Sequence, residues 1–96
     1  MFFAYILKSR NFDKYYKGHT NNLKKRVIDH NKGKTRSIKG YLPYDLIYFE
    51  VFETRVEAIE REKYFKSGIG REFIKSNLHN APVVQLDRIP DFGSGG

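Results

Sequence analysis

The stretch from Phe2 to Thr20, FFAYILKSRNFDKYYKGHT, decides the fold. FFAYILK at 2–8 is an aromatic and aliphatic run too short for an independent helix, and the turn-like Ser9-Arg10-Asn11-Phe12-Asp13 ends it, so it reads as a strand. Tyr15-Tyr16-Lys17-Gly18-His19 reads as a second strand, joined to the first through a hairpin loop of about 5–6 residues. Side chains alternate along a strand, so Phe3, Tyr5 and Leu7 share one face, and Tyr16 lies on the partner strand. Gly18 permits a close backbone approach or a bulge.

Outward from the hairpin, Leu23 to about Lys32 has helical periodicity, with Thr20, Asn21 or Asn22 as N-cap and Gly33 just past its end. Residues 33–43, GKTRSIKGYLP, combine glycine, proline and basic residues without periodicity and predict a mobile loop, the segment best suited to lie over a phosphate backbone. YDLIYFEVF at 44–52 predicts a strand buried on both faces. Thr54-Arg55-Val56-Glu57 is a capping box opening a helix over 55–67 with Gly68 as its stop, and 70–78 predicts a short third helix with Phe73, Ile74 and Leu78 inward. The fold class is α/β in the α+β sense: a small, mainly antiparallel three-stranded sheet flanked by helices, in the order β-β-α-β-α-α. Residues 1–80 form the domain, and 81–96, which hold two of the three prolines, are expected to be a poorly ordered tail.

Ninety-six residues allow one domain. With no cysteine, a disulfide scaffold, a thiolate metal site and a cysteine nucleophile are excluded. No apolar run approaches the ~20 residues of a membrane span, and the first residues lack the features of a leader, so a cytoplasmic chain beginning at Met1 is expected, with no membrane partner and no small-molecule cofactor. The net charge of +7 is concentrated: Lys8 to Lys39 carries +9, leaving −2 for residues 40–96. Such a block suits a polyanion, nucleic acid being the commonest, although a solvated surface has the same composition.

Polar residues interrupt faces that should be apolar. On the second helix Ala58, Ile59 and Phe65 form a stripe with Glu62 in its middle. Read alone, Glu62 is a side chain snorkelling at the stripe edge, a partner of Lys66 at i+4, or a ligand. On the first helix Arg26 and His30, four apart, border the face of Leu23 and Val27 and point to a common neighbour. Tyr5 and Tyr16 are by default core aromatics whose hydroxyls find partners. Together, two tyrosines on paired strands, an Arg/His pair and one carboxylate are the groups needed to hydrolyse a phosphodiester with one metal.

On these residues the chain from about Phe2 to Lys75 resembles the GIY-YIG endonuclease domain, and among its members the small stand-alone bacterial proteins related to the N-terminal nuclease domain of excinuclease C. Phe3-Ala4-Tyr5 and Tyr16-Lys17-Gly18 stand for the two signature tripeptides, Arg26 for the family arginine, His30 for a position that is Tyr or His, and Glu62 for the metal-binding glutamate. Ala4 and His19 depart from the usual residues, and the tail matches nothing in the family; VVQLDRIPDFGSGG at 83–96 resembles instead a peptide read antisense through a transfer-RNA gene.

The resemblance implies metal-dependent hydrolysis of DNA, structure- rather than sequence-selective and serving DNA repair or processing, with single-stranded and branched DNA among the candidate substrates. It implies that Glu62 holds one Mg²⁺ or Mn²⁺, that Arg26 binds the scissile phosphate, and that one of the two tyrosines, Tyr5 ahead of Tyr16, activates water with help from His30 while the other orients water or phosphate. Lys17, His19, Lys24, Lys25, Lys32, Lys34, Arg36 and Lys39 are the expected nucleic-acid contacts. The alternative is a non-catalytic nucleic-acid-binding module of the same fold.

Overall fold

The computed structural model describes residues 1–34 and 36–90, the side chains of 36–38 excepted. Its elements are strand β1 (Phe2–Ser9), strand β2 (Tyr15–Thr20), helix α1 (Leu23–Asn31), a 3₁₀ helix (Arg36–Tyr41), strand β3 (Tyr44–Phe52), helix α2 (Arg55–Lys66), helix α3 (Gly68–Asn77) and a 3₁₀ turn (Leu86–Arg88). The sheet is antiparallel with strand order β2-β1-β3, which gives the expected three strands and the order β-β-α-β-α-α.

The sheet separates two cores. Phe3, Tyr5 and Leu7 pack with Leu23 and Val27 of α1 and Leu46 of β3. Ala4 and Ile6 pack on the opposite face with Ile47, Phe65 of α2, and Ile74 of α3. The central strand is therefore β1, whose Phe3 to Leu7 are all buried. This corrects the expectation of a doubly buried 44–52: β3 is an edge strand, its first half is covered, and Val51 is exposed. A register shift at Ile6/Leu7 in the β1–β3 pairing leaves Ile47 as an extra residue, so that the consecutive Ile47 and Tyr48 both reach the second core while Leu46 and Phe49 reach the first.

Local signals settle the helix ends. Asn22 caps α1 by accepting from Lys25 N at 3.2 Å, and Gly33 follows the helix at φ 80°, donating to His30 O at 3.0 Å. The Thr54/Glu57 capping box is present. Gly68 is not the stop of α2: Ser67 ends that helix and caps the next, its hydroxyl donating to Tyr64 O at 2.6 Å and accepting from Gly70 N at 3.1 Å. The close approach is at Gly70, where a Cβ would lie 1.9 Å from Tyr64 O.

Two segments read as irregular carry structure. The loop expected over 33–43 contains the 3₁₀ helix, with Tyr41 and Leu42 packed on the first core and Tyr41 O accepting from Ser9 Oγ at 2.7 Å. The stretch expected to begin a poorly ordered tail crosses back over the edge of β3. Val84 N donates to Leu46 O at 2.7 Å, and Ile89, 5% exposed, enters the first core. Its apolar residues explain the difference: Val84 and Ile89 straddle the 3₁₀ turn and reach the same face. Residues 91–96 lie outside those described.

Candidate active site

The hairpin register places Tyr5 opposite Gly18 and Leu7 opposite Tyr16. The Tyr5 ring uses the space that a side chain at Gly18 would fill, since a Cβ there would stand 2.6 Å from its hydroxyl oxygen and 3.1 Å from Tyr16 Cε1. The glycine of the Tyr-x-Gly motif thus has a steric reason. Tyr5 Oη lies 2.9 Å from His30 Nε2, and both residues are fully buried. The Tyr16 and His30 rings meet edge to face with centroids 4.6 Å apart, and the Tyr5 and Tyr16 centroids are 6.2 Å apart.

His30 therefore belongs to the buried face of α1 rather than bordering it. Four residues earlier, half-buried Arg26 directs its guanidinium at the Tyr5 and Tyr16 hydroxyls; hydrogen bonding to Tyr5 raises its pKa against the opposing effect of burial. Burial pushes the Tyr5 hydroxyl well up, with the Arg26 hydrogen bond opposing it. Burial, and then the charge of Arg26, pushes His30 down to about 4, so the imidazole is neutral at neutral pH.

Glu62 approaches from the other side of the sheet. His19, opposite Ala4 in the register, projects to the α2 face, and its Nδ1 lies 2.7 Å from Glu62 Oε1. Lys66 Nζ donates to Glu62 Oε2 at 2.6 Å, as the i+4 spacing allows. Burial alone would raise the Glu62 carboxyl, but the Lys66 and His19 contacts outweigh it and hold it below the usual range. The sheet divides the five residues, Tyr5, Tyr16, Arg26 and His30 on the α1 side and Glu62 on the α2 side. Both groups adjoin β2, an edge strand, and the charge of Glu62 is the least of the influences on the Tyr5 hydroxyl.

Among the described residues no three metal-ligating side chains cluster. An ionised carboxylate with a 19% exposed side chain fits a hard divalent ion that keeps most of its waters. Lys66, whose side chain is 56% exposed, is free to swing off Oε2.

The expected nucleic-acid contacts divide. Lys24, Lys32 and Lys39 are exposed, and Lys17 and His19 lie half-buried on the α2 face of β2. Lys25 and Lys34 instead neutralise Asp29, at 2.7 and 3.5 Å. The side chain of Arg36 lies outside the described residues. The sequence reading missed Arg71, Lys75 and His79 of α3 and its end, which face Lys14, Tyr15 and Lys17 across an open cleft of about 720 Å³. The signal available was the alternation of Tyr15, Lys17 and His19 onto one face of β2.

A three-stranded α+β domain with an Arg–Tyr–Tyr–His cluster and a carboxylate at one sheet edge defines a small class of protein. The family model described as the GIY-YIG catalytic domain matches residues 1–72, and the chain belongs to that family, a nuclease family whose substrates are nucleic acids. More particularly, it is 45% identical over 67 residues to UPF0213 protein CPE1444 of Clostridium perfringens, a match spanning 69% of this chain and 71% of that one. It is 43% identical over 65 residues to UPF0213 protein YazA of Bacillus subtilis, covering 67% of this chain and 65% of the relative. The solution structure of UPF0213 protein BH0048 from Bacillus halodurans aligns over 79% of this chain and 84% of its own, with 28% identity and a TM-score of 0.47. Among the described residues no helix is long and apolar enough to cross a membrane.

Proposed function

We propose that the chain is a metal-dependent endonuclease hydrolysing phosphodiester bonds in DNA, selective for structure rather than sequence, and working in the cytoplasm in DNA repair or processing. The observation that supports this best is the Tyr5 hydroxyl seated over Gly18 with His30, Arg26 and Tyr16 around it. A purely structural tyrosine needs one hydrogen-bond partner, not both an arginine and a neutral histidine.

In this reading Arg26 donates to the non-bridging oxygens of the scissile phosphate, where its fork and permanent charge suit the developing anion. Glu62 holds one Mg²⁺ or Mn²⁺, which when bound supplies stabilisation of the departing oxygen and of the phosphate charge. Tyr16, half-exposed, is the phenol that an attacking water meets first, and it orients that water. Tyr5 receives the water's proton while passing its own to neutral His30 Nε2. His19 positions the Glu62 carboxylate through Oε1.

The test is cleavage of supercoiled plasmid and of single-stranded, duplex and branched oligonucleotides with Mg²⁺, Mn²⁺ or EDTA, comparing wild type with Glu62→Ala. Metal-dependent nicking lost in the variant, with DNA binding retained, is the expected result. Salt-sensitive binding without cleavage of any substrate would overturn it in favour of the non-catalytic binding module.

A further inference from the structure

Some cations of this protein are paired with carboxylates, and among those that are not, one group is gathered in a single cleft. Arg10, Lys25, Lys34, Arg61 and Lys66 each contact a carboxylate. Lys17, Arg71 and Lys75 make no ion pair with any described residue, and these three gather with Lys14 and His79 around the cleft between the β1–β2 hairpin and α3, with Asp13 as its one carboxylate. Like charges drawn together without counter-charge cost free energy, and an anion in the cleft relieves that cost.

Lys17 of the cleft and His19, the partner of Glu62, lie on one face of β2. Lys17 lies on β2 between Tyr16 and Gly18, and its pKa is lowered by burial first and then by the charges of Arg71 and Lys66. Lys66 is itself bonded to Glu62. Lys17 thus joins Arg71 and Lys75 in one positive cleft on the side of the sheet that carries Glu62. Several cations in series along an open groove match the repeating charge of a phosphodiester chain.

We propose that the cleft between the hairpin and α3 holds the backbone of the nucleic-acid strand that flanks the Glu62 site, contributing affinity through phosphate contacts from Lys17, Arg71 and Lys75. The inference rests on the nuclease reading above and adds to it the path of the strand. It also moves the expected contact surface: part of it lies on α3, in the half of the chain whose net charge is negative.

The test uses the full chain carrying Glu62→Ala, so that binding is read without cleavage, and a fluorescently labelled DNA oligonucleotide, single-stranded or annealed to its complement. Anisotropy titrations from about 50 to about 200 mM salt compare this protein with versions carrying Arg71→Ala with Lys75→Ala, or Lys63→Ala with Arg88→Ala. The second pair removes the same charge from exposed positions outside the cleft. The cleft pair is expected to weaken binding at least about tenfold at low salt and to flatten the log–log salt slope by about 1.5, while the outside pair changes it much less. Undiminished binding by the cleft pair, or equal losses from both pairs, overturns the cleft and leaves the nuclease reading standing. An unaltered protein that binds none of these DNAs overturns both. Thermal melts of each variant show whether a loss of binding is a loss of fold.

Discussion

The Tyr5 hydroxyl and Nε2 of His30 stand 2.9 Å apart in a region from which both side chains are closed to solvent. Tyr16 presses edge to face on the same imidazole, and Arg26, one turn earlier on α1, faces the two hydroxyls. The histidine is thus a neutral hub that ties the hairpin to α1, and its protonation would place a second charge beside Arg26.

That arrangement sets a pH dependence. The folded His30 has its pKa lowered to about 4 from 6.5, by burial first and by Arg26 second, with Asp29 opposing. Below about pH 6.5 the unfolded chain therefore binds a proton that the folded chain resists, so this contribution to stability is full above that pH and declines as pH falls toward 4. The decline amounts to roughly 2 kcal/mol between about pH 6.5 and pH 5. Thermal melts across this window are expected to show a smaller fall in Tm for His30→Gln than for wild type. Parallel pH profiles would assign the acid sensitivity to another group.

Gly18→Ala tests the steric account of the Tyr-x-Gly motif. The added methyl would stand 2.6 Å from the Tyr5 hydroxyl oxygen and 2.7 Å from Cζ, and the buried ring has no open space to enter. Overpacking of this kind costs about 1–3 kcal/mol. A lower Tm is expected together with a loss of nicking larger than the loss of DNA binding, because the displaced atom is the site hydroxyl. An alanine variant with unchanged melting and activity would show that the ring adapts freely.

Arg26→Lys keeps a positive charge but loses the fork that faces Tyr5 and Tyr16. Single-turnover cleavage is expected to lose at least ~2 kcal/mol of transition-state stabilisation, about 30-fold in rate, with much less change in DNA affinity. Equal cleavage rates for the two proteins would remove the fork from the mechanism.

The segment after residue 80 is expected to matter for stability. Deleting residues 81–96 uncovers the first core where Ile89 and Val84 pack and frees Leu46 O from Val84 N. Ile89→Ala makes the same point more mildly, with an expected cost of about 2–5 kcal/mol if the site does not collapse. A truncated chain that melts with wild type would return this stretch to the expected poorly ordered tail.

Much of this was legible in order along the chain because it depends on neighbours in sequence. Alternation placed Tyr5 with Phe3 and Leu7; the capping box marked the start of α2; Glu62 stood out because a carboxylate interrupts an apolar stripe; Arg26 and His30 were one turn apart. What failed depended on partners distant in sequence. The density of apolar residues in 44–52 suggested burial on both faces, but strand order made β1 the central strand and β3 an edge. The composition of residues 33–43 and 81–90 said loop and tail, and only the surface available on the first core turned Tyr41, Leu42, Val84 and Ile89 into packed residues.

The sequence by itself determined the three strands, the three α-helices and their order, since helix and strand periods and capping are local physics, and the residues of the candidate site followed from the motif resemblance. Tertiary structure alone decided that Glu62 stands on the opposite side of the sheet from Tyr5, bonded to His19 of the edge strand β2. It also brought Arg71 and Lys75 to Lys17, making one positive cleft from halves of opposite net charge. Electrostatic neighbours are set by distance in space, and in this fold residues more than fifty positions apart become adjacent only when α3 packs beside the hairpin.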